Sequence, residues 1–152
     1  MRATLDLYLG RFLGLLMALM TIDVLWGVFT RYALGSQASW TEELARFLLI
    51  WIGILGAAYA SGQKMHLAID LLSPKLQPSK QRQLNFIIGL LIIGFAGTIL
   101  VIGGLRLMFI THILGQTSAA LRLPMTVVYG VLPLSGCLII YYKILELKQP
   151  LV

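Results

Sequence analysis

The chain has 152 residues, 59% of them hydrophobic and 12% charged, with a formal net charge of +6. Soluble domains carry about 25% charged residues, so this composition cannot coat a water-facing surface and requires lipid as the main solvent. The basic residues lie scattered between apolar runs rather than clustered, which fits anchoring and topology in a bilayer and not nucleic-acid binding.

Four apolar runs follow in order: about Phe12 to Tyr32, broken by Thr21, Asp23 and Thr30; about Leu44 to Ala60, with Arg46 near its start; about Leu84 to Ile113, with Arg106 toward its end; and about Met125 to Tyr142. A span needs roughly 20 residues. In hydrocarbon only helices and closed barrels satisfy their backbone, and continuous runs without alternation disfavour barrel strands. The expectation is an all-α membrane protein, one transmembrane domain over residues 1–152 with spans at about 12–32, 44–60, 84–113 and 125–142. Arg2 and Arg11 ahead of the first run imitate a secretory signal, but the run is too long and lacks a small-x-small cleavage site, so it reads as a permanent span. The third run exceeds the roughly 30 Å of hydrocarbon at 1.5 Å per residue, so it should tilt or project. Pro133 is placed to kink the fourth.

The longest connection runs from about Gly62 to Gln83. Its stretch Met65 to Leu72 is too apolar for a free linker, and a short interfacial helix is expected there, ended by Pro74 and Pro78. Eight basic residues (Arg2, Arg11, Lys64, Lys75, Lys80, Arg82, Lys143, Lys148) fall on the side of the termini and this loop, against four (Arg31, Arg46, Arg106, Arg122) on the other. The bias places both termini in the cytoplasm, Trp40 to Arg46 outside and His66 inside. Tyr141, Tyr142 and Lys143 read as an interfacial anchor.

Few polar residues are available for chemistry. Glu42 and Glu43 stand four and three residues before Arg46, within reach of it on one helix face. Asp23 lies deep in the first span, where an ionised carboxylate costs roughly 2.5–3.5 kcal/mol. It should face protein with a donor partner, or be protonated through desolvation. Gly27 and Thr30 share its face at helical spacing, and it reads as a buried hydrogen-bonded packing residue rather than a proton or cation relay. Two stripes of small residues, Gly53/Gly56/Ala57/Ala60 and Gly89/Ala96/Gly103, suit close helix contact. Cys137 stands alone and reads as a small packing residue. His66 and His112 are about a bilayer apart, roughly 30 Å, so they cannot share a haem iron; no cofactor, metal site or catalytic residue is expected.

Arg31-Tyr32, then Trp40-Thr41-Glu42-Glu43-Leu44-Ala45-Arg46, then Leu55-Gly56-Ala57-Ala58, then His66-Leu67-Ala68-Ile69-Asp70 resembles the signature of the small membrane subunit of tripartite ATP-independent periplasmic (TRAP) transporters, the DctQ-type family. The resemblance implies a multi-pass protein of the bacterial inner membrane that acts in transport and is not an enzyme. It implies pairing with a large membrane subunit that imports an acidic solute, such as a C4-dicarboxylate or sialic acid, with sodium. A periplasmic binding protein delivers the solute. By the same resemblance, Arg31, Trp40, Glu42, Glu43 and Arg46 form an outward structural or subunit-interface cluster, and His66 and Asp70 a cytoplasmic-side motif, none of them touching substrate. Independently of it, small-residue stripes, lipid anchors and the lack of a polar path across the spans suit a scaffold. The rival is a small four-helix proton-coupled exporter acting through Asp23; such exporters tend to be shorter and lack the Glu-Glu-x-x-Arg cluster.

Overall fold

The structure, a computed structural model, describes residues 2–63 and 78–148. His66, Asp70 and the expected interfacial helix lie outside the described residues. Among the described residues four helical spans are long and apolar enough to cross a membrane: Thr4–Ala33, Ser39–Gly62, Gln83–Ile113 and Met125–Leu147. All four extend beyond their apolar runs, the third by Gln83 alone.

Helix α1 (Arg2–Ala33) and helix α2 (Ser39–Gly62) form a long antiparallel hairpin. Its turn passes through Gly35 at φ +75°, a left-handed conformation that glycine adopts without penalty. Along α1, buried Leu9, Leu16, Asp23 and Thr30 recur every seven residues. A repeat of seven is the signature of a seam packed along a shallow left-handed crossing. Opposite it, Leu55 and Ala58 of α2 are fully buried, and Trp51 and Tyr59 pack into the same cluster as Leu9 and Leu16. Gly53 and Gly56 have open space where a side chain would begin, and Ala57 is exposed. The expected small-residue stripe on α2 therefore faces away from the bundle, because the larger Leu55 and Leu48 fill the inner seam.

The third span joins helix α3 (Pro78–Phe95), an eight-residue π segment (Ala96–Gly103) and helix α4 (Gly104–Ile113) without a break. Its buried positions are Gly89, Ala96, Gly104 and Thr111, at intervals of seven, eight and seven. A π turn, with its i→i+5 hydrogen bonds, takes up an additional residue, and the phase slips by one. The stripe expected to continue at Gly103 is thus corrected to Gly104. A Cβ on Gly104 would lie 2.8 Å from Leu132 Cβ and 2.9 Å from Pro133 Cδ, whereas one on Gly103 would meet only Thr98 O at 3.7 Å.

The fourth span breaks at Gly130, between the short helix α5 (Met125–Tyr129) and helix α6 (Val131–Lys148). Pro133 lies just beyond: it has no N–H, and its ring crowds the carbonyl of the preceding turn, so the break falls ahead of it. Trp51 Nε1 donates to the carbonyl of Val128 at 3.1 Å, tying α2 to this break. Helix α6 is central, touching α2, α3 and the π segment. For that reason the expected anchor Tyr141-Tyr142-Lys143 is largely internal. Tyr142 is 1% exposed, covers Gly62 and donates to Asp6 Oδ1 at 2.6 Å. Buried Lys143 pairs with Glu146 at 2.7 Å. Tyr141 alone of the three remains exposed. Cys137, expected inside, is exposed on the bundle surface.

Candidate functional site: the charged end of the bundle

Trp40, Glu42 and Glu43 belong to the first turns of α2 rather than to the loop before it. Thr41 fixes that start: buried, it donates its hydroxyl to the carbonyl of Ala38 at 2.7 Å. Carboxylates on the first turns sit beside unsatisfied N–H groups at the positive end of the helix dipole.

Glu43 turns across the bundle to the connection between the third and fourth spans. Its Oε1 accepts the backbone N–H of Ala119 at 2.9 Å, and its Oε2 accepts those of Ala120 and Leu121, both at 2.8 Å. The connection is itself a small closed hairpin. Ser118 N donates to Leu123 O at 2.9 Å, and Met125 N to Gln116 O at 3.0 Å; Leu123 N also donates to Ser118 Oγ at 3.1 Å. Arg122 closes the tip at φ 53°. Three successive amides converging on one point make a concave anion site, and hydrogen bonds to an ionised acceptor are the short, strong kind. Here the anion is the protein's own carboxylate. The partners are 76 to 78 residues apart, and no local pattern in the sequence signals the contact.

The expected pairing of Glu42 and Glu43 with Arg46 is accordingly not formed. Among the described residues the ion pair is Lys143–Glu146, and Arg31, Glu42, Trp40 and Arg46 are exposed. Three fixed amides outcompete one mobile guanidinium for Glu43, since ordering a long arginine side chain costs entropy that a preformed turn does not. The cluster divides: Glu43 binds the hairpin, Arg31 and Glu42 border a cavity, and Trp40 and Arg46 stay on the surface.

That cavity, of about 230 Å³, lies between α1 and α2 and is lined by Asp23, Gly27, Arg31, Thr41, Glu42 and Ala45 among others. Asp23 is 5% exposed, and neither carboxylate oxygen has a hydrogen-bond partner. Asp23 is thus buried, but among the described residues no donor meets it. The hydroxyl in the cavity wall serves another acceptor: Thr41 donates to Ala38 O. Thr30, two turns along α1, donates to Gly27 O at 3.0 Å. Gly27 lets the two helices approach closely here: a Cβ would come within 3.1 Å of Thr41 Oγ1. Among the described residues no group of three or more His, Cys, Asp or Glu could hold a metal ion.

Residues 13–151 match the family described as tripartite ATP-independent periplasmic transporters, DctQ component. The chain belongs to this family. The DctQ component is part of a transport system and not an enzyme. The chain is 42% identical over 72 residues to a TRAP transporter small permease protein of Haemophilus influenzae, covering 47% of this chain and 45% of that one. It is 33% identical over 109 residues to the C4-dicarboxylate TRAP transporter small permease protein of Rhodobacter capsulatus, covering 70% of this chain and 47% of that one. It is also 35% identical over 101 residues to the isethionate TRAP transporter permease protein DctMQ of Oleidesulfovibrio alaskensis, covering 66% of this chain and 16% of that one. The matched segments thus span less than half of each of these relatives.

Proposed function

We propose that this chain is the small membrane subunit of a sodium-coupled importer of acidic solutes. It scaffolds a large membrane subunit and helps form the surface on which a periplasmic binding protein docks. In this reading both termini face the cytoplasm, and the end bearing Trp40, Glu43 and the 116–125 hairpin faces the periplasm. The observation that carries the proposal is the DctQ match over residues 13–151. The bundle's polar contacts agree with it: Glu43 secures a backbone turn and Tyr142 joins the first helix to the last, so these groups brace the bundle. The small organic acids in the relatives' names, a C4-dicarboxylate and isethionate, support an anionic solute held by the other subunits.

Scaffolding is what the fold suits. A transport core that moves through the bilayer needs a stationary neighbour, and long helices packed against one another supply one. The test is solute uptake into proteoliposomes containing the large subunit with or without this chain, with binding protein outside and an imposed sodium gradient. Uptake should require both membrane chains, the binding protein and the gradient. Uptake by this chain alone would refute the scaffold and revive the Asp23 exporter.

A further inference from the structure

We propose that the cavity over Asp23 is the seat for a basic side chain, Lys or Arg, projected from a membrane helix of the large subunit. The proposal rests on the scaffold reading and adds the contact through which it works.

Asp23 is buried, and among the described residues both its oxygens are unbonded; the hydroxyl of Thr41, which lines the same cavity, donates elsewhere. A buried carboxylate in a membrane bundle is costly unless a donor or cation meets it. Glu42 and Arg31 also line the cavity without an ion pair to Asp23, so two carboxylates face one guanidinium and a second cation balances the set. Depth selects its source. Asp23 stands ten residues before the end of α1 at Ala33, about 15 Å at 1.5 Å per residue, which is about half of a 30 Å hydrocarbon core. A lipid headgroup stays at the surface; a side chain on a neighbouring helix arrives sideways at that depth.

The approach is also open. Below the cavity, the α2 face that carries Glu42 and Ala45 continues at helical spacing through Leu49, Gly53 and Gly56. Leu49 is exposed, and both glycines have open space where a side chain would begin. Small residues on a lipid-facing ridge let another helix backbone come close. A helix lying along that ridge brings its side chains level with Asp23. The DctMQ relative, of which the matched segment is only 16%, agrees with a much larger neighbour fixed one to one beside this unit.

The experiment compares wild type, Asp23→Asn and Asp23→Leu in two measurements: recovery of the large subunit on affinity purification of the tagged chain, and thermal unfolding of this chain purified alone. Asp23→Leu should lower recovery at least about tenfold, which corresponds to about 1.4 kcal/mol. Asp23→Asn, which keeps one acceptor, should lose less. Neither should lower the unfolding temperature of the isolated chain, where no described residue bonds the carboxylate. Undiminished recovery with Asp23→Leu overturns the proposal, as does a clear fall in isolated-chain stability, which would make Asp23 an internal packing group. Recovery restored by added phosphatidylethanolamine would make lipid the occupant and overturn it too. A photo-crosslinking residue in place of Leu49 should yield a product containing the large subunit; a product of two small subunits would overturn the assignment. If the wild-type chain itself recovers no large subunit, the scaffold reading fails rather than the role of Asp23.

Discussion

Gly103 and Gly104 are adjacent in sequence and opposite in environment, which makes them a sharp test of the third span's geometry. An alanine at 104 places Cβ 2.8 Å from Leu132 Cβ and 2.9 Å from Pro133 Cδ, whereas ordinary carbon contacts lie at about 3.5–4.0 Å. The obstructing atoms belong to a proline ring and a backbone-attached carbon and cannot rotate away, so α4 must retreat by roughly 1 Å. Overpacking of this kind costs about 1–3 kcal/mol. At 103 the new methyl meets nothing closer than 3.7 Å, and replacing a helical glycine by alanine gains up to about 1 kcal/mol. Unfolding in mixed detergent–SDS micelles should therefore find Gly104→Ala destabilised and Gly103→Ala equal to or above wild type. If Gly103→Ala is the more damaging of the two, the one-residue phase slip across the π segment is wrong.

Two further outcomes follow from the polar contacts. Glu43→Ala removes the acceptor of three amides, so hydrogen exchange at Ala119, Ala120 and Leu121 should accelerate by about tenfold or more while the core of α1 is unaffected; unchanged exchange would show that the hairpin holds itself. Tyr142→Phe deletes the bond to Asp6, but Asp6 is only half-buried and takes water instead, so the loss should be about 1 kcal/mol in the same micelle assay. A change below a few tenths would mean that packing over Gly62 is what holds that ring.

The gross architecture is legible because hydrocarbon allows so few solutions: four long apolar runs become four helices. Details failed where the readable pattern was local and the deciding contact was not. Glu43 and Arg46 satisfy an i, i+3 rule that is sound for an isolated helix, yet the winning acceptor geometry comes from residues 119–121. The stripe Gly89, Ala96, Gly103 assumes an unbroken α period, and nothing in Ala96–Gly103 announces the π winding that moves it to Gly104. The small face of α2 is legible as small, but composition does not say which helix it meets: it lies outside the bundle, where a contact with another chain would use it. Tyr142 and Lys143 have the composition of a lipid anchor, and only the central position of α6 turns them inward.

The grip of Glu43 on the hairpin has one more consequence. It holds amide hydrogens and no side chain of Ala119, Ala120 or Leu121, so it is blind to what those residues are, provided none is proline. Shape and chemistry are thereby decoupled at the tip: the outline of the loop is set from α2 and by the Ser118 hydroxyl, while the side chains of residues 119–121 remain free to change. Only position 122, with its positive φ, carries a conformational demand, and glycine or asparagine meets it as well as arginine. A family of such chains can present differently charged tips in one fixed orientation, altering what the loop meets without rebuilding the bundle beneath it.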